Sequence, residues 1–373
     1  MDFTFDDVQE DVRILARMVF DDMAKPARIT EIEATDDGID RELWAELVRS
    51  QLLGVGLPED VGGSGHGLMA LAVLLGEMGR RVAPVPLLST IGLASLPIAA
   101  LGTPEQRKRL LVPVLDGTSL LTAALQESAR HDPLDVRTTA TKDGSSWRLD
   151  GLKVSVPHAP LVDRIVVSAR TGDDSTGLFL LDPAAPGVTI ERIRSTHREV
   201  QGHVQLDGAV VAEEDVLADP EAGHDALRFA HQHALACMCA TAVGVFDEAV
   251  RITADYISNR QQFGKPLATF QAATLRAADA FIDTEAVDVT TWSAIWQLAQ
   301  GNDADEALAI AKFWVADGGQ RVVHACQHLH GGMGVDTDYP IHRYFLWAKE
   351  LELALGGATP QLLRIGESMA RGA

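Results

Sequence analysis

Two long helical patterns meet in one short stretch, and this feature constrains the fold more than any other in the chain. Residues 226–258 are rich in Ala and other apolar residues and contain no Pro to interrupt a helix. Residues 268–300 have the same character. We therefore predict a pair of long helices joined by the junction at residues 256–271.

The side chains at this junction suit a phosphorylated heterocyclic ligand. The junction holds the cation Arg260, the amides Gln262 and Gln271 and the ring of Phe263, followed by a Gly-Lys-Pro bend. Arginine offers a phosphate two parallel charge-assisted hydrogen bonds, and a ring with nearby amides suits a flat heterocycle. A helical hairpin with a surface arginine at a helix end and a core phenylalanine explains the same residues equally well.

The 373 residues exceed what one hydrophobic core usually organises, so we expect two or three domains. Residues 1–120 read as mostly helical. Residues 121–220 contain short apolar or alternating runs separated by Gly, Asp and Pro turns, which indicates an antiparallel sheet. Residues 221–373 are helical again. The predicted fold class is α+β and mostly α, with a β-domain between two helical domains.

The charge balance excludes some partners. With 32 basic and 53 acidic residues the net charge is −21, which argues against nucleic acid and anionic membranes. The odd set Cys237, Cys239 and Cys326 favours buried thiols in a reducing compartment over disulfides or a metal site. The acidic N-terminus lacks the features of a signal peptide, and no apolar run is long enough to span a bilayer. We therefore expect a cytoplasmic protein.

Three motifs, in order along the chain, carry a family resemblance. Residues 260–271 read Arg-x-Gln-Phe-Gly-x-x-Leu-x-x-Phe-Gln, and residues 329–334 read Leu-His-Gly-Gly-Met-Gly, with Asp-Tyr-Pro at 338–340. Upstream, residues 58–65 read Pro-Glu-Asp-Val-Gly-Gly-Ser-Gly. Together these motifs closely resemble the signatures of the acyl-CoA dehydrogenase family, and they extend over nearly the whole chain.

The resemblance implies an N-terminal helical domain, a middle β-domain and a C-terminal four-helix bundle that together bind FAD. It implies an acyl-CoA substrate and an electron-transferring flavoprotein as electron acceptor. In this family the hairpin of one subunit and the glycine loop of its neighbour complete one flavin pocket, so the resemblance also implies a homo-oligomer or a paralogous partner subunit. The residues that it assigns to the cofactor are Arg260, Gln262, Phe263, Gln271, His328, Gly331, Gly332, Gly334, Thr359 and Gln361.

The chain departs from the family pattern around the flavin. The family commonly has Gln where this chain has His328, and here Gln327 comes one residue earlier. The β-domain loop at residues 126–132 lacks the usual Thr-Glu-Pro-Gly sequence, and residues 153–158 lack the Trp that packs against the flavin ring. Ser128, Ser155 and His158 are the weaker substitutes that we expect there.

The largest departure concerns the catalytic base. Members of the family remove the substrate α-proton with a buried carboxylate, which lies either just before the Thr-x-Gln segment or on the long helix. The aligned positions here are Gly357 and Ala234, and neither residue can accept a proton. We therefore assign no catalytic residue and no metal ligand.

Three interpretations follow. The favoured one is a flavin-sharing subunit of a heteromeric acyl-CoA dehydrogenase, because residues 342–349 resemble the actinobacterial enzymes that oxidise steroid side-chain CoA thioesters. The second is a self-sufficient dehydrogenase with a displaced base. The third is a flavin-free acyl-CoA-binding or assembly protein on the same scaffold. The candidates for a displaced base are His231, His233, Glu350 and Glu352.

Overall fold

Helices occupy both ends of the chain, and a sheet lies between them. The computed structural model describes residues 4–128, 132–173, 175–218 and 223–372. The helices of the N-terminal part are α1 Asp7–Met23, α2 Pro26–Glu33, α3 Arg41–Arg49, α4 Gly67–Arg80, α5 Leu96–Leu101 and α6 Pro104–Leu115. A π-helical segment, Leu88–Ser95, leads into α5. The sequence Thr103-Pro104 predicts a helix start with Thr103 as N-cap, and in the structure Thr103 caps α6 by accepting a hydrogen bond from the backbone N–H of Gln106.

The middle part forms one twisted sheet. Its strands are β1 Leu121–Ala124, β2 Thr139–Asp143, β3 Ser146–Pro157, β4 Arg164–Arg170, β5 Thr176–Leu181, β6 Val188–Arg194, β7 Val200–Ala212 and β8 Val216–Ala218. They lie in the order β6-β7-β3-β2-β4-β5-β8, with β1 against β4. Most pairs are antiparallel as predicted, but β1 runs parallel to β4.

The C-terminal part is built on one central helix. Its helices are α7 Gly223–Asn259, α8 Gln271–Ala299, α9 Asp305–Phe313, α10 Gly319–His330, α11 Ile341–Leu353 and α12 Ala358–Gly372. Helix α7 packs against α4, α8, α10 and α11. Glycine permits its close approach to α4, because a Cβ on Gly244 would lie 1.8 Å from the Gly76 carbonyl oxygen. This arrangement fits the predicted α+β class.

Several expectations for the elements need adjustment. The sequence predicts one helix from Asp303 or Asp305 through His324, but the structure has two helices, α9 and α10, joined by a π-helical turn at Trp314–Gly318. The predicted boundary between residues 220 and 221 lies outside the described residues, as do positions 129–131 of the loop at 126–132. All three cysteines are buried and free, as expected of core residues. No described helix combines the length and apolar character that crossing a bilayer demands.

Candidate functional site

The junction between α7 and α8 is a projecting β-hairpin. Two short strands, β9 Gln261–Gln262 and β10 Lys265–Pro266, pair around Phe263 and Gly264. Both turn residues have positive φ, 53° and 78°, as a two-residue hairpin turn requires. This geometry leaves Phe263 92% exposed. Phe263 is therefore not the core phenylalanine that an ordinary helical hairpin would have.

The polar groups of the hairpin also point away from the chain's own core. Arg260, Gln262 and Gln271 are exposed, and within the described residues Arg260 makes no ion pair. Lys265 lies over the Phe270 ring, with 4.3 Å between Nζ and the ring centroid. A free guanidinium beside an exposed ring suits a phosphorylated heterocycle, so these residues fit the phosphate and adenosine parts of FAD.

The glycine loop follows α10 and presents open backbone. Gly331 has φ 59°, and a Cβ placed on Gly331 or Gly332 would meet no atom within 4 Å. His328, one turn earlier, is exposed. Gly334 is different, because a Cβ there would lie 2.4 Å from the Gln327 carbonyl oxygen. The chain's own packing therefore accounts for glycine at 334, whereas the surface at 331–332 is open to a ligand or a neighbouring chain.

An aromatic stack joins the glycine loop to the hairpin. The rings of Tyr256 and His330 are stacked with centroids 4.3 Å apart, and Tyr339 lies 5.2 Å from His330. Tyr256 is four residues before Arg260, and His330 directly precedes Gly331. The stack therefore holds the two predicted cofactor segments at a fixed separation on one side of the helical bundle.

The two remaining predicted cofactor residues differ in exposure. Thr359, in the first turn of α12, is exposed. Gln361 is fully buried, with its amide nitrogen 3.5 Å and 3.4 Å from the carbonyl oxygens of Leu355 and Gly356. Its Oε1 atom is buried without a hydrogen-bond partner among the described residues. Thr359 is thus available to a ligand, whereas Gln361 helps to hold the junction between α11 and α12.

A cavity of about 320 Å³ lies where the three parts of the chain meet. Its walls come from the π-helical segment before α5, the end of β3, the turn between β6 and β7, and helices α7 and α11. Most of the lining is apolar, including Leu88, Leu93, Met238 and Leu351. None of the ten predicted cofactor residues lines this cavity. The structure therefore separates the outward-facing hairpin and glycine loop from the internal cavity.

Neither of the two positions where the family places its catalytic base lines the cavity. From α7 the lining residue is Met238, while Ala234, about one turn earlier, is fully buried and is not part of the lining. Beyond α11 the wall is residues 353–355, and Gly357 is not part of it. Ser155 and His158 reach the cavity, as their predicted role requires, but Ser128 is exposed and does not. The carboxylates that line the cavity are Glu199 and Glu350.

These carboxylates belong to a polar cluster, which we define as His158, His197, Glu199, Gln201 and Glu350. The Gln201 amide donates to both carboxylates, at 3.1 Å to Glu199 and 2.9 Å to Glu350. The His197 ring lies between them, with Nε2 3.8 Å from Glu199 Oε2 and Nδ1 3.6 Å from Glu350 Oε2. The polar cluster thus spans from the turn between β6 and β7 to helix α11.

The protonation states within the polar cluster follow from burial and mutual charge. Burial opposes a charge on His197, but Glu199 and Glu350 outweigh it and raise the pKa of the imidazole to about 10. Burial would favour the neutral acid at Glu199, but the imidazoles of His158 and His197 and the Gln201 amide lower its pKa to about 2. Burial lowers the pKa of His158 below its ordinary value. At neutral pH His197 is therefore an imidazolium.

Sequence reasoning missed His197, Glu199 and Gln201. Residues 195–199 join two strands, and their run of polar side chains has the composition of a solvent-exposed hairpin turn. Only the packing of this turn under α11 brings His197 beside Trp347, with ring centroids 5.4 Å apart. No sequence signal links the turn to Glu350, 151 residues beyond Glu199 in the chain.

The other candidates for a displaced base do not line the cavity. His231 is buried beside the Arg364 guanidinium, and burial together with that charge lowers its pKa well below the ordinary value. His233 stacks on Phe229, and its Nδ1 lies 2.9 Å from the Phe229 carbonyl oxygen. Glu352 forms an ion pair with Lys349 at 2.8 Å. Of the four candidates, the structure brings only Glu350 to the cavity.

A buried lysine fixes the helix that carries Glu350. Lys312 on α9 is fully buried, and its ammonium donates to the carbonyl oxygens of Leu351 and Glu352 at 2.7 Å and 2.9 Å. These are orphan carbonyls at the C-terminal end of α11, where a cation is also favoured by the helix dipole. Burial lowers the pKa of Lys312 to about 8. The end of α11 is therefore anchored just beside the cavity.

Comparison with protein families identifies both ends of the chain. The family model described as "Acyl-CoA dehydrogenase, N-terminal domain" matches residues 6–118, and the model described as "Acyl-CoA dehydrogenase, C-terminal domain" matches residues 223–370. These two matches cover more than half of the 373 residues. The second contains the hairpin, the glycine loop and α11, so the candidate cofactor segments lie inside the matched region.

Individual relatives extend over the full length. Acyl-CoA dehydrogenase FadE27 of Mycobacterium tuberculosis is 35% identical over 378 aligned positions, covering 99% of each chain. A solved variant of the Tcur3481–Tcur3483 steroid ACAD is 45% identical, with a TM-score of 0.91 and coverage of 98% of each chain. A chain of the ChsE4–ChsE5 complex from M. tuberculosis is 35% identical, with a TM-score of 0.94 and coverage of 99% of each chain.

Proposed function

Because this chain belongs to the acyl-CoA dehydrogenase family, whose members are FAD-dependent oxidoreductases, we propose that it is one subunit of a heteromeric acyl-CoA dehydrogenase and lacks its own catalytic base. Its cofactor is FAD, which supplies the hydride acceptor in this family. The reaction introduces a double bond between the α and β carbons of an acyl thioester. In this proposal a paralogous subunit provides the carboxylate that removes the α-proton.

One observation carries the proposal. At the two positions where the family places its base, this chain has Gly357 and Ala234, and neither borders the cavity. The lining residues nearest to these two positions in the chain are Met238 and residues 353–355, which are apolar. The carboxylate of Glu350 is held by Gln201 and faces the His197 imidazolium. A base from another chain accounts for this arrangement.

The outward direction of the hairpin supports a shared flavin. Arg260 and Phe263 project away from their own chain, and the glycine loop presents open backbone at Gly331 and Gly332. Neither the hairpin nor the glycine loop lines the internal cavity. Completion of each flavin pocket across an interface between two chains, in a heterotetramer or smaller assembly, fits this geometry.

The cavity and the similar structures support a bulky, hydrophobic acyl group as substrate. The cavity is mostly apolar and large enough for a sizeable hydrophobic group. Two similar structures are described as a steroid ACAD and as the ChsE4–ChsE5 complex, and FadE27 is called an acyl-CoA dehydrogenase. We propose a steroid side-chain CoA thioester as substrate and an electron-transferring flavoprotein as the electron acceptor, in the cytoplasm.

The test compares the chain alone with the complex that co-purifies from cells expressing its paralogue. We expect flavin absorption in the complex and its bleaching on anaerobic addition of a steroid side-chain acyl-CoA. The chain alone is expected to show no bleaching. Arg260→Gln should reduce the flavin retained by the complex by about tenfold or more, because it removes a hydrogen bond between the guanidinium and the charged phosphate of the cofactor. Arg49→Gln, an exposed arginine on α3, is the control and should retain flavin normally.

A second candidate function is a self-sufficient dehydrogenase with Glu350 as its base. The observation that favours it is that Glu350 lines the cavity, with its side chain 28% exposed. In that case the chain alone would bleach with acyl-CoA, and Glu350→Gln would abolish the bleaching while leaving flavin bound. Bleaching by the isolated chain would therefore overturn the proposed division of labour.

A further inference from the structure

The polar cluster stands at a boundary between two cavities. On one side is the main cavity of about 320 Å³, and on the other is a small cavity of about 30 Å³. His158, His197, Glu199 and Trp347 line both. The small cavity continues towards Gly38 and Arg198. The polar cluster is therefore the polar end wall of an otherwise largely apolar chamber.

One ring nitrogen of each histidine in the polar cluster is already hydrogen-bonded within the chain: His197 Nδ1 lies 2.9 Å from Ser195 Oγ, and His158 Nδ1 lies 3.0 Å from Ser89 Oγ. The distances from His197 to Glu350 and Glu199 are 3.6 Å and 3.8 Å, and His158 Nδ1 lies 3.9 Å from Glu199 Oε2. Charge-assisted hydrogen bonds between such groups are usually about 2.7–2.9 Å long. The contacts of Glu350 Oε2 and His197 Nε2 are longer than hydrogen bonds, so each of these atoms can still bond a polar atom that approaches beside it. The polar cluster can thus accept an oxygen from a molecule in the main cavity.

We propose that the polar cluster recognises a hydroxyl group on the apolar body of the acyl-CoA ligand, with Glu350 accepting its hydrogen bond and His197 donating to its oxygen. This inference rests on the proposed function, because it takes the ligand of the main cavity to be an acyl-CoA. It assigns His197 and Glu350 to substrate specificity rather than to proton removal.

The chemistry of the polar cluster selects a hydroxyl over other polar groups. A hydroxyl both donates and accepts, which matches a carboxylate beside an imidazolium. A ligand carboxylate would meet two carboxylates against one imidazolium. A ligand ammonium has no lone pair to accept a hydrogen bond from His197. A ketone could accept from His197 but would leave Glu350 without a donor from the ligand. The apolar walls at Leu88 and Met238 suit the hydrocarbon around the hydroxyl.

The experiment uses two probes with one skeleton. Lithocholoyl-CoA carries a ring hydroxyl, and cholanoyl-CoA lacks it. Binding of both probes to the purified chain and to its complex with the paralogue is measured by calorimetry.

We expect the hydroxylated probe to bind about tenfold or more tightly than the other, because it forms a hydrogen bond to a charged group. Glu350→Met and His197→Phe should reduce this preference to about threefold or less, because each removes one group that meets the hydroxyl. Glu191→Met, at an exposed position on β6, should keep the full preference.

The outcomes separate the two proposals. If cholanoyl-CoA binds but the hydroxyl adds no affinity, or if the preference survives Glu350→Met, the assignment of the polar cluster is wrong and the proposed function stands. If neither probe binds, the proposed function fails and this inference falls with it. Circular dichroism and melting temperature establish that each variant is folded. Should His197→Phe not fold, the comparison of Glu350→Met with Glu191→Met decides the question.

Discussion

Lys153 shows how one buried residue supports the cavity wall. Its side chain is fully buried, and its ammonium donates to Glu127 Oε1 at 2.7 Å and Ser168 Oγ at 3.0 Å. Glu127 also accepts hydrogen bonds from the backbone of Arg137 and Thr138. Burial lowers the pKa of Lys153 to about 8, although Glu127 opposes this shift. The pair ties the segment after β1 to the part of β3 that leads into the cavity.

Removing one partner of this pair should be costly. We expect Lys153→Met to lower the free energy of unfolding by about 3–5 kcal/mol, because it leaves the buried Glu127 carboxylate without its counter-charge. The measurement is urea unfolding followed by circular dichroism. Lys142→Met on the neighbouring strand is the control, since Lys142 is exposed and should change stability by no more than about 0.5 kcal/mol. Equal effects of the two substitutions would contradict this interpretation.

The raised pKa of His197 predicts how the stability of the folded chain depends on pH. Its pKa of about 10 in the folded chain lies above the ordinary value of 6.5 in the unfolded chain. The folded state therefore binds the proton more tightly, and the resulting stabilisation is complete below pH 6.5 and is lost as the pH rises towards 10. For Glu199 the pKa is lowered to about 2, so its stabilisation is present above pH 4.5 and is lost in acid.

Melting temperatures of the wild-type chain and the His197→Phe variant, measured from pH 6 to pH 10, test this prediction. The stability advantage of the wild type should be largest near pH 6 and should shrink steadily towards pH 10. Phenylalanine preserves a ring against Trp347, so loss of packing contributes a roughly constant offset. An advantage independent of pH over this range would show that His197 does not carry the charge assigned to it.

At the scale of elements, α8 carries an apolar stripe on the face opposite its core contacts. Leu275, Ile282, Val289 and Trp296 recur every seven residues, and each is at least half exposed. The buried positions of α8, such as Val287 and Thr291, lie on the other side. Exposed apolar residues at heptad spacing are typical of a helix face that packs against another chain. The stripe is therefore where we expect the proposed partner subunit to contact α8.

Ile282→Lys should weaken this contact, because it places a charge at the centre of the stripe. We expect the complex with the paralogue to dissociate at concentrations where the wild-type complex stays intact, as measured by light scattering after size-exclusion chromatography. The thermal stability of the separate chain should change little, since Ile282 is 64% exposed. Ile14→Lys on α1 serves as the control at another exposed apolar position. An unchanged mass for the Ile282 variant would place the partner elsewhere.

The elements also show how far local patterns extend. The long helices α7 and α8 and the cap of α6 follow from apolar content, absence of Pro and turn chemistry, which act over a few residues. Strand β7 has a weak pattern in the sequence, although Val204 and Leu206 alternate with polar residues. Gly202 and Gly208 within it weaken the strand pattern, and β7 is stabilised mainly by its pairing with β3 and β6. Pairing of this kind is not visible in a single segment.

At the scale of the whole molecule, the three-part organisation fixes where the cavity forms. The sheet lies between the N-terminal helices and the helices around α7, and the cavity is bordered by all three parts. Each part contributes a different component: apolar walls from the helices, and His158, His197 and Glu199 from the ends of strands. The hairpin and the glycine loop lie outside this chamber. The chain thus has an internal chamber, and its candidate cofactor residues in the hairpin and the glycine loop face outward. We base the proposal that two subunits share a flavin on this separation.

The sequence by itself determined the layout of helices and sheet, the family and its cofactor, because short motifs and apolar periodicity are local properties. It also led us to predict that glycine and alanine stand where a carboxylate base is usual in the family. Only the tertiary structure decided that Phe263 is exposed, that Gly334 serves its own chain's packing, and that the turn after β6 meets Glu350 beneath α11. These facts depend on contacts between segments far apart in the chain, and such contacts arise from the packing of the whole molecule.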